Sequence, residues 1–300
     1  MLSILIPTYN SNISDLVITI HQQCIKCNIL FEIIVCEDGS SKFLNQNENT
    51  IKSLPFAKLQ VSQKNCGRIR TRQKLSDASK FDWLLFLDSD VLPKSESFIN
   101  TYLDYINSSY DAIFGGFSYQ KQTSAKENNL RWRYGKKFEE VDAKKRNKNP
   151  YRIIISANFL IRKSVFNSIN SNINYNGYGL DNYFAALLKK NKSEILHINN
   201  EVYHLGLETN DIFLEKTKQS IKVLLDLFRK QKMNQHSNKL LSIFNLFKYL
   251  KINYLANLCA IIFRNSIEKN LLGSHPNLYL LQFYKILFIC HEDLNQKNND

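Results

Sequence analysis

The 300-residue sequence predicts an α/β protein, a doubly wound, mostly parallel sheet flanked by helices, with a helical extension behind it. Three observations carry this. Short apolar runs alternate with helix-periodic segments through the first 90 residues. Three of those runs end in polar signatures: Tyr9-Asn10, Glu37-Asp38 and Asp88-Ser89-Asp90. From about residue 210 the pattern is helical alone.

The elements follow in order. Residues 2–6 form an apolar strand that stops at Pro7. Residues 14–27 place Leu16, Val17, Ile20 and Ile25 at helical spacing, with Ser14 positioned to cap. Residues 31–36 are a second strand, running into the polar turn Glu37-Asp38-Gly39-Ser40. Residues 41–54 are polar and partly helical, and residues 58–62 give a third strand. A basic helix covers 68–79, and residues 83–87 are a buried strand. Residues 112–119 form another strand whose Gly115-Gly116 pair suggests a bulge or close backbone approach to a ligand. Residues 121–150 read as a mobile basic loop or surface helix. Residues 153–155 and 159–161 resume the core. Gly177-Tyr-Gly-Leu-Asp181 opens a helix through Lys190, and 195–198 and 202–204 are short strands. Beyond them Ile221, Leu224, Leu225 and Phe228 make one stripe, and Leu240, Ile243, Phe244 and Phe247 another. The domain organisation expected is residues 1–210 for the α/β domain and 211–300 for the helical extension.

Composition narrows the class. Hydrophobic residues at 44% and charged residues at 22% argue against disorder. The net charge of +13 suits an anionic partner, or merely a Lys-rich solvated surface. No nucleic-acid motif accompanies the dispersed basic residues, so no nucleic acid is expected. The six cysteines form no zinc-spaced second pair and read as free thiols of a reducing compartment. No signal peptide or spanning run is expected, which points to a cytoplasmic protein; a peripheral contact with the inner face of the membrane stays open.

In doubly wound sheets, ligands bind at the carboxyl ends of the strands. The polar signatures therefore converge on one edge. The two acids of Asp88-Ser89-Asp90 stand at the tip of a strand that has no need of them for stability. Oxygen ligands at that spacing suit a hard divalent cation, Mg²⁺ or Mn²⁺, shared with phosphates.

The motifs Ile4-Leu-Ile-Pro-Thr-Tyr-Asn10, Glu32-Ile-Ile-Val-Cys-Glu-Asp-Gly-Ser40, Asn65-Cys-Gly67 with Arg72, and Phe86-Leu-Asp-Ser-Asp90 together resemble the motif series of family 2 glycosyltransferases. The resemblance spans about residues 1–210 and implies the GT-A fold. It also implies a metal-dependent, inverting transfer of sugar from a nucleotide-diphosphate donor, with UDP the first guess. The acceptor implied is a hydroxyl of a surface polysaccharide or glycolipid. By the same resemblance Tyr9 would stack on the base beside Pro7, and Asp38 would hydrogen-bond the base. Arg72 would face the donor phosphates or hold the carboxylates. Asp88 and Ser89 would meet the donor, and Asp88 and Asp90 the Mn²⁺ or Mg²⁺. Asp181 would be the general base; its alternative is a helix N-terminal acid favoured by the dipole. His204 would complete the metal shell, or be structural. Asn158 would contact the donor sugar, or sit in an ordinary turn. His197 is expected in the core. Trp132 and Tyr134 either face sugar rings or anchor their segment. Three departures are Glu37 and Gln73, where the family more often has Asp and Asn, and Asn182, where many relatives have a second acid directly after Asp181. The competing functions are an inactive nucleotide- or sugar-binding module and a nucleotidyltransferase; the latter lacks its phosphate loop after the first strand.

Overall fold

The computed structural model describes residues 1–121, 126–175 and 177–297. Its elements in chain order are β1 (Leu2–Thr8), α1 (Ser14–Lys26), β2 (Phe31–Asp38), α2 (Leu44–Lys52), β3 (Ala57–Ser62), α3 (Arg68–Ala78), β4 (Trp83–Leu87), β5 (Val91–Pro93), α4 (Phe98–Leu103), β6 (Ala112–Phe114) and β7 (Phe117–Ser118). A 3-10 turn (Lys126–Asn128), α5 (Asn129–Tyr134), a π-helical turn (Gly135–Glu139) and α6 (Ala143–Asn147) come next. Then follow β8 (Asn158–Arg162), α7 (Lys163–Asn170), α8 (Leu180–Lys190), β9 (Ile195–His197), β10 (Val202–His204), α9 (Asn210–Arg229), α10 (Lys239–Tyr249), α11 (Asn253–Leu272) and α12 (Leu278–Lys297). The chain divides into a sheet unit (Met1–Gln120, Glu139–Asn176, Leu187–Gly206) and a helical unit (Lys121–Phe138, Gly177–Ala186, Leu207–Asp300). The helical unit thus takes in two segments that the sequence assigns to the α/β domain.

In the sheet unit, seven strands run in the order β3-β2-β1-β4-β8-β6-β9. All are parallel except β8, which is antiparallel to both neighbours. The central strands read as unbroken apolar runs because helices cover both faces of a parallel sheet. Ile4, Leu5 and Ile6 of β1, Ile33, Ile34 and Val35 of β2, and Leu84 to Leu87 of β4 are fully buried. Across β4, β8 and β6, Phe86, Phe159 and Phe114 stack at centroid distances of 5.1 and 5.4 Å, in the strand register. A second sheet, β5-β10-β7, has three strands.

Three local expectations are corrected. Ser14 does not cap α1. Ile13 occupies the cap position, its N–H donating to Asn47 Oδ1 at 3.1 Å, while the Asn12 side chain accepts from Ser14 N at 3.0 Å. Residues 112–119 are two strands in different sheets, and the glycines are the crossing point. A Cβ on Gly115 would lie 2.4 Å from Asn158 Nδ2 and from Asn200 O, so the close approach is to the protein's own core. Finally, of the two readings of the basic stretch the helical one holds for its described residues, in α5 and α6, but not every base is solvated. Arg146 is buried, its guanidinium donating to Phe114 O, Gly115 O and Ile198 O, three carbonyls at the end of the sheet. Part of the segment, residues 122–125, lies outside the described residues.

In the helical unit, α12 packs against α5, α9, α10 and α11. Ile221, Leu224 and Leu225 of α9 are buried as their spacing predicts. In α10 the buried residues are Leu241 and Phe244, whereas Ile243 of the predicted stripe is exposed. Among the described residues no single helix is long and apolar enough to cross a membrane.

Candidate functional site

β4 ends in Asp88. Its N–H donates to Ala157 O at 3.1 Å, which turns the chain off the sheet. The carboxylate is gripped from α3. Arg72 Nη2 donates to Oδ1 at 2.8 Å and Arg68 Nη2 to Oδ2 at 2.5 Å. Arg68 also donates to Ser156 Oγ at 3.0 Å, and Arg72 to Ser156 O. The two arginines are one helical turn apart, so both guanidinium groups project from the same face. Arg72 is buried, with its guanidinium carbon 5.6 Å from the ring centroids of Phe86 and Phe159. Arg68 is more exposed and leaves charge available at the edge. The sequence reading singled out Arg72, missed Arg68, and did not foresee that Ser156 would meet both arginines. The four-residue spacing was the signal that could have found Arg68.

Asp90 is met from the second sheet. β10 pairs antiparallel with β5, setting His204 opposite Val91, and Leu205 N donates to Asp90 O at 2.9 Å. His204 Nε2 therefore lies 3.3 Å from Asp90 Oδ2. The imidazole is flanked by the rings of Phe117 and Tyr119, at 5.0 and 5.7 Å. Burial pushes the Asp90 carboxyl up, but the His204 hydrogen bond and charge and the Arg68 charge outweigh it, so its pKa is lowered. His204 Nδ1 is buried with no hydrogen-bond partner among the described residues. The ring is thus committed to the carboxylate and not to a core carbonyl. A carboxylate and an imidazole in contact are a donor set that suits a Mn²⁺-like ion drawing its other ligands from phosphate and water. Asp88 differs, since its oxygens already accept from two arginines. Among the described residues no group of three or more His, Cys, Asp or Glu gathers as a ready metal cage. Gly206 completes the contact: a Cβ there would stand 2.3 Å from Asp90 Oδ2. Sequence reasoning missed this glycine.

On the other side of β1, Pro7 is half-buried and Tyr9 is 54% exposed. Asn10 adopts φ 51° and its Oδ1 accepts from Ser41 N and Lys42 N at 2.8 and 3.0 Å, joining the ends of β1 and β2. Glu37 is fully buried and accepts from Asn47 Nδ2 at 2.6 Å and from Ser40 Oγ. Asp38 is buried too. Its oxygens accept from Cys66 N at 2.8 Å and Gly67 N at 2.9 Å, so it holds the loop that launches α3 and its arginines. Ser89 accepts at its carbonyl from Ser11 Oγ at 3.4 Å.

The remaining candidates divide. Asn158 is fully buried; Tyr102 Oη donates to its Oδ1 at 2.6 Å, and its Nδ2 donates to Asn200 O and Gly116 O at 2.8 and 3.1 Å. Both ends of the amide serve the core, so a contact with the donor sugar would have to displace one of these bonds. His197 is a core residue as expected. It is wedged between Arg146 Nη1 and Pro150 O, and burial pushes its pKa down to about 4. Asp181 lies in the first turn of α8, half-buried, after Gly177 and Gly179, both at positive φ. By its contacts it belongs to the helical unit. In that unit Tyr134 is an anchor, its ring 5.1 Å from Phe138 and 5.3 Å from Phe213. Trp132 instead lines an open groove of about 480 Å³ with Arg133, Lys136, Lys137 and Tyr279.

Comparison with known proteins agrees with this fold. No curated protein matches the chain. Among the solved structures that share its fold are the following two. TarS residues 1–349 of S. aureus superposes with a TM-score of 0.52 at 14% identity, over 99% of this chain and 91% of that one. The mannosyltransferase PcManGT from Pyrobaculum calidifontis, solved in complex with GDP-Man and Mn²⁺, gives a TM-score of 0.60 at 9% identity, over 100% and 88%. The family model of glycosyl transferase family 2 matches residues 3–169, more than half of the sequence, and the chain belongs to that family of glycosyltransferases.

Proposed function

We propose that the protein transfers a sugar, with inversion, from a nucleotide-diphosphate sugar to a hydroxyl of a surface polysaccharide or glycolipid at the cytoplasmic side of a membrane, with a UDP-sugar as the first donor to test. The observation that carries this is the pairing of Asp90 with His204 beside an Asp88 clamped by Arg68 and Arg72. Asp90 and His204 would hold a Mn²⁺ or Mg²⁺ ion, with Asp88 nearest the donor ribose. When bound, the cation would neutralise charge on the departing diphosphate. Arg68, partly exposed, adds fixed positive charge at the same edge. Tyr9 offers its ring face to the base beside Pro7. Asp38 acts on the nucleotide site through the backbone N–H groups of Cys66 and Gly67. Asp181 takes the proton of the acceptor hydroxyl as its oxygen forms the bond to C1 and the C1–diphosphate bond breaks. The basic, aromatic groove around Trp132 would suit an anionic glycan acceptor.

The test is nucleotide binding and donor hydrolysis over UDP-, GDP-, dTDP- and CMP-sugars, with Mn²⁺, Mg²⁺ or EDTA, for the wild type and Asp90→Ala. Metal-dependent binding of one nucleotide, lost in Asp90→Ala, supports the reading. A folded protein that binds none of them favours an inactive interaction module.

A further inference from the structure

The helical unit carries an apolar surface that its own core does not use. α11 buries Ala256, Ala260, Ile267 and Leu271 on one side. The opposite side shows Tyr254, Leu255, Leu258, Ile261 and Ile262 at spacings of one, three and four residues, all more than half exposed. The preceding helix and the residue that caps it add Leu246, Tyr249 and Leu250, each also more than half exposed. A helix apolar on both faces is either buried in protein or set in lipid. Exposed contiguous apolar patches of this kind mark interaction surfaces.

Charge decides what covers it. From Lys239 to Lys285 the chain has six Lys or Arg residues and one acid, Glu268. That acid is spent internally, accepting from Tyr284 Oη at 2.6 Å and pairing with Lys218 and Arg264 at 3.1 Å. Lys239, Lys251 and Lys269 are exposed. A second copy docked on this face would bring like charges together, whereas an anionic lipid surface neutralises them. Tyr249 and Tyr254 supply the amphipathic rings that favour the headgroup level. α10 and α11 together have the length and composition of a span but meet at a bend of 113°. That geometry suits helices lying in the interfacial plane, with apolar side chains sunk about 5–10 Å into the bilayer.

We propose that the exposed face of α10 and α11 binds the surface of an anionic membrane, peripherally and independently of donor chemistry. The test is co-sedimentation of the full chain with vesicles of phosphatidylcholine, alone or with about one third phosphatidylglycerol. Sedimentation velocity on the free protein accompanies it, and circular dichroism confirms that each variant is folded. The wild type is expected to bind the anionic vesicles about tenfold more tightly than the neutral ones, with the difference shrinking in high salt. The double variant Leu255→Ser/Ile262→Ser should lose about tenfold or more in binding, and Lys251→Glu/Lys269→Glu should lose the preference for anionic lipid. A folded wild type that ignores both vesicle types overturns the proposal, as does binding unchanged in both variants. A dimer that Leu255→Ser/Ile262→Ser splits would assign the face to a second copy instead. None of these readouts needs turnover, so failure here is distinct from failure of the transferase reading.

Discussion

His204 Nε2 stands 3.3 Å from Asp90 Oδ2 because β10 lies antiparallel to β5 and its register ends opposite Val91. Removing the ring should cost metal affinity before it costs fold. His204→Ala and Asp90→Asn are each expected to weaken Mn²⁺ binding in the presence of nucleotide by about 10- to 100-fold, the range seen when groups that hold or orient a metal are lost. Calorimetric titration with Mn²⁺ checks this. Unchanged affinity in both variants would remove the pair from the metal site.

Gly206 tests the same contact from the backbone. In Gly206→Ala the new methyl would meet Asp90 Oδ2 and Cβ at 2.3 and 3.0 Å, so the carboxylate must turn away from His204. Weaker Mn²⁺ binding with a melting temperature near that of the wild type is expected. Wild-type affinity would show that the Asp90 position is not critical.

The two arginines on Asp88 should separate stability from activity. Arg72 is buried, so Arg72→Ala leaves Asp88 to Arg68 alone, strips the donor from Ser156 O and empties the space against Phe86 and Phe159; it should cost about 3 kcal/mol in urea unfolding. Arg68 is more exposed, and its pair with Asp88 is solvent-screened. Arg68→Ala should change stability by less than about 1 kcal/mol while lowering transfer rate. Equal stability losses would mean the two positions are equivalent supports.

Asn158→Ala should read as a core defect. It strips partners from Tyr102 Oη, Asn200 O and Gly116 O, at an expected cost of about 3 kcal/mol. KM for the donor should stay near the wild-type value. A raised KM without destabilisation would return Asn158 to the donor site.

His197 gives the protein an acid-side sensitivity. Its native pKa is about 4 against an ordinary 6.5, because burial disfavours the imidazolium. Between those values the unfolded chain binds a proton that the native state refuses. The stability is therefore full above pH 6.5 and falls as pH drops toward 4, by about 3 kcal/mol for this group. Urea unfolding at pH 7 and pH 5 should show a smaller difference for His197→Gln than for the wild type. Identical pH slopes would discount the residue.

Most of the sheet unit and the acidic edge were legible locally. Short apolar runs such as 83–87, bounded by polar turns, read as buried strands, and the acids that follow them mark the ligand edge of the sheet. The Asp38 and Asn158 side chains were not legible. A buried carboxylate bonded to two loop N–H groups and an amide bonded inside the core look, in one dimension, like any polar residue at a strand end. Arg146 shows the same limit. It stands in a basic run that reads as solvated, yet the carbonyls that bury it come from β6 and from residues near 198.

The sequence by itself determined the alternating α/β architecture, the carboxylates at the end of β4, and the resemblance that the family match confirmed over residues 3–169. These follow from periodicity and from motifs within a few residues of one another. Only the tertiary structure decided that Asp88 belongs to Arg68 and Arg72, that Asp90 belongs to His204, and that the outer face of α11 is left apolar. Each depends on which strands pair and which helix faces find partners. Those choices are made by packing over long sequence separations; a local pattern such as the four-residue spacing of Arg68 and Arg72 names a helix face but not the group that meets it.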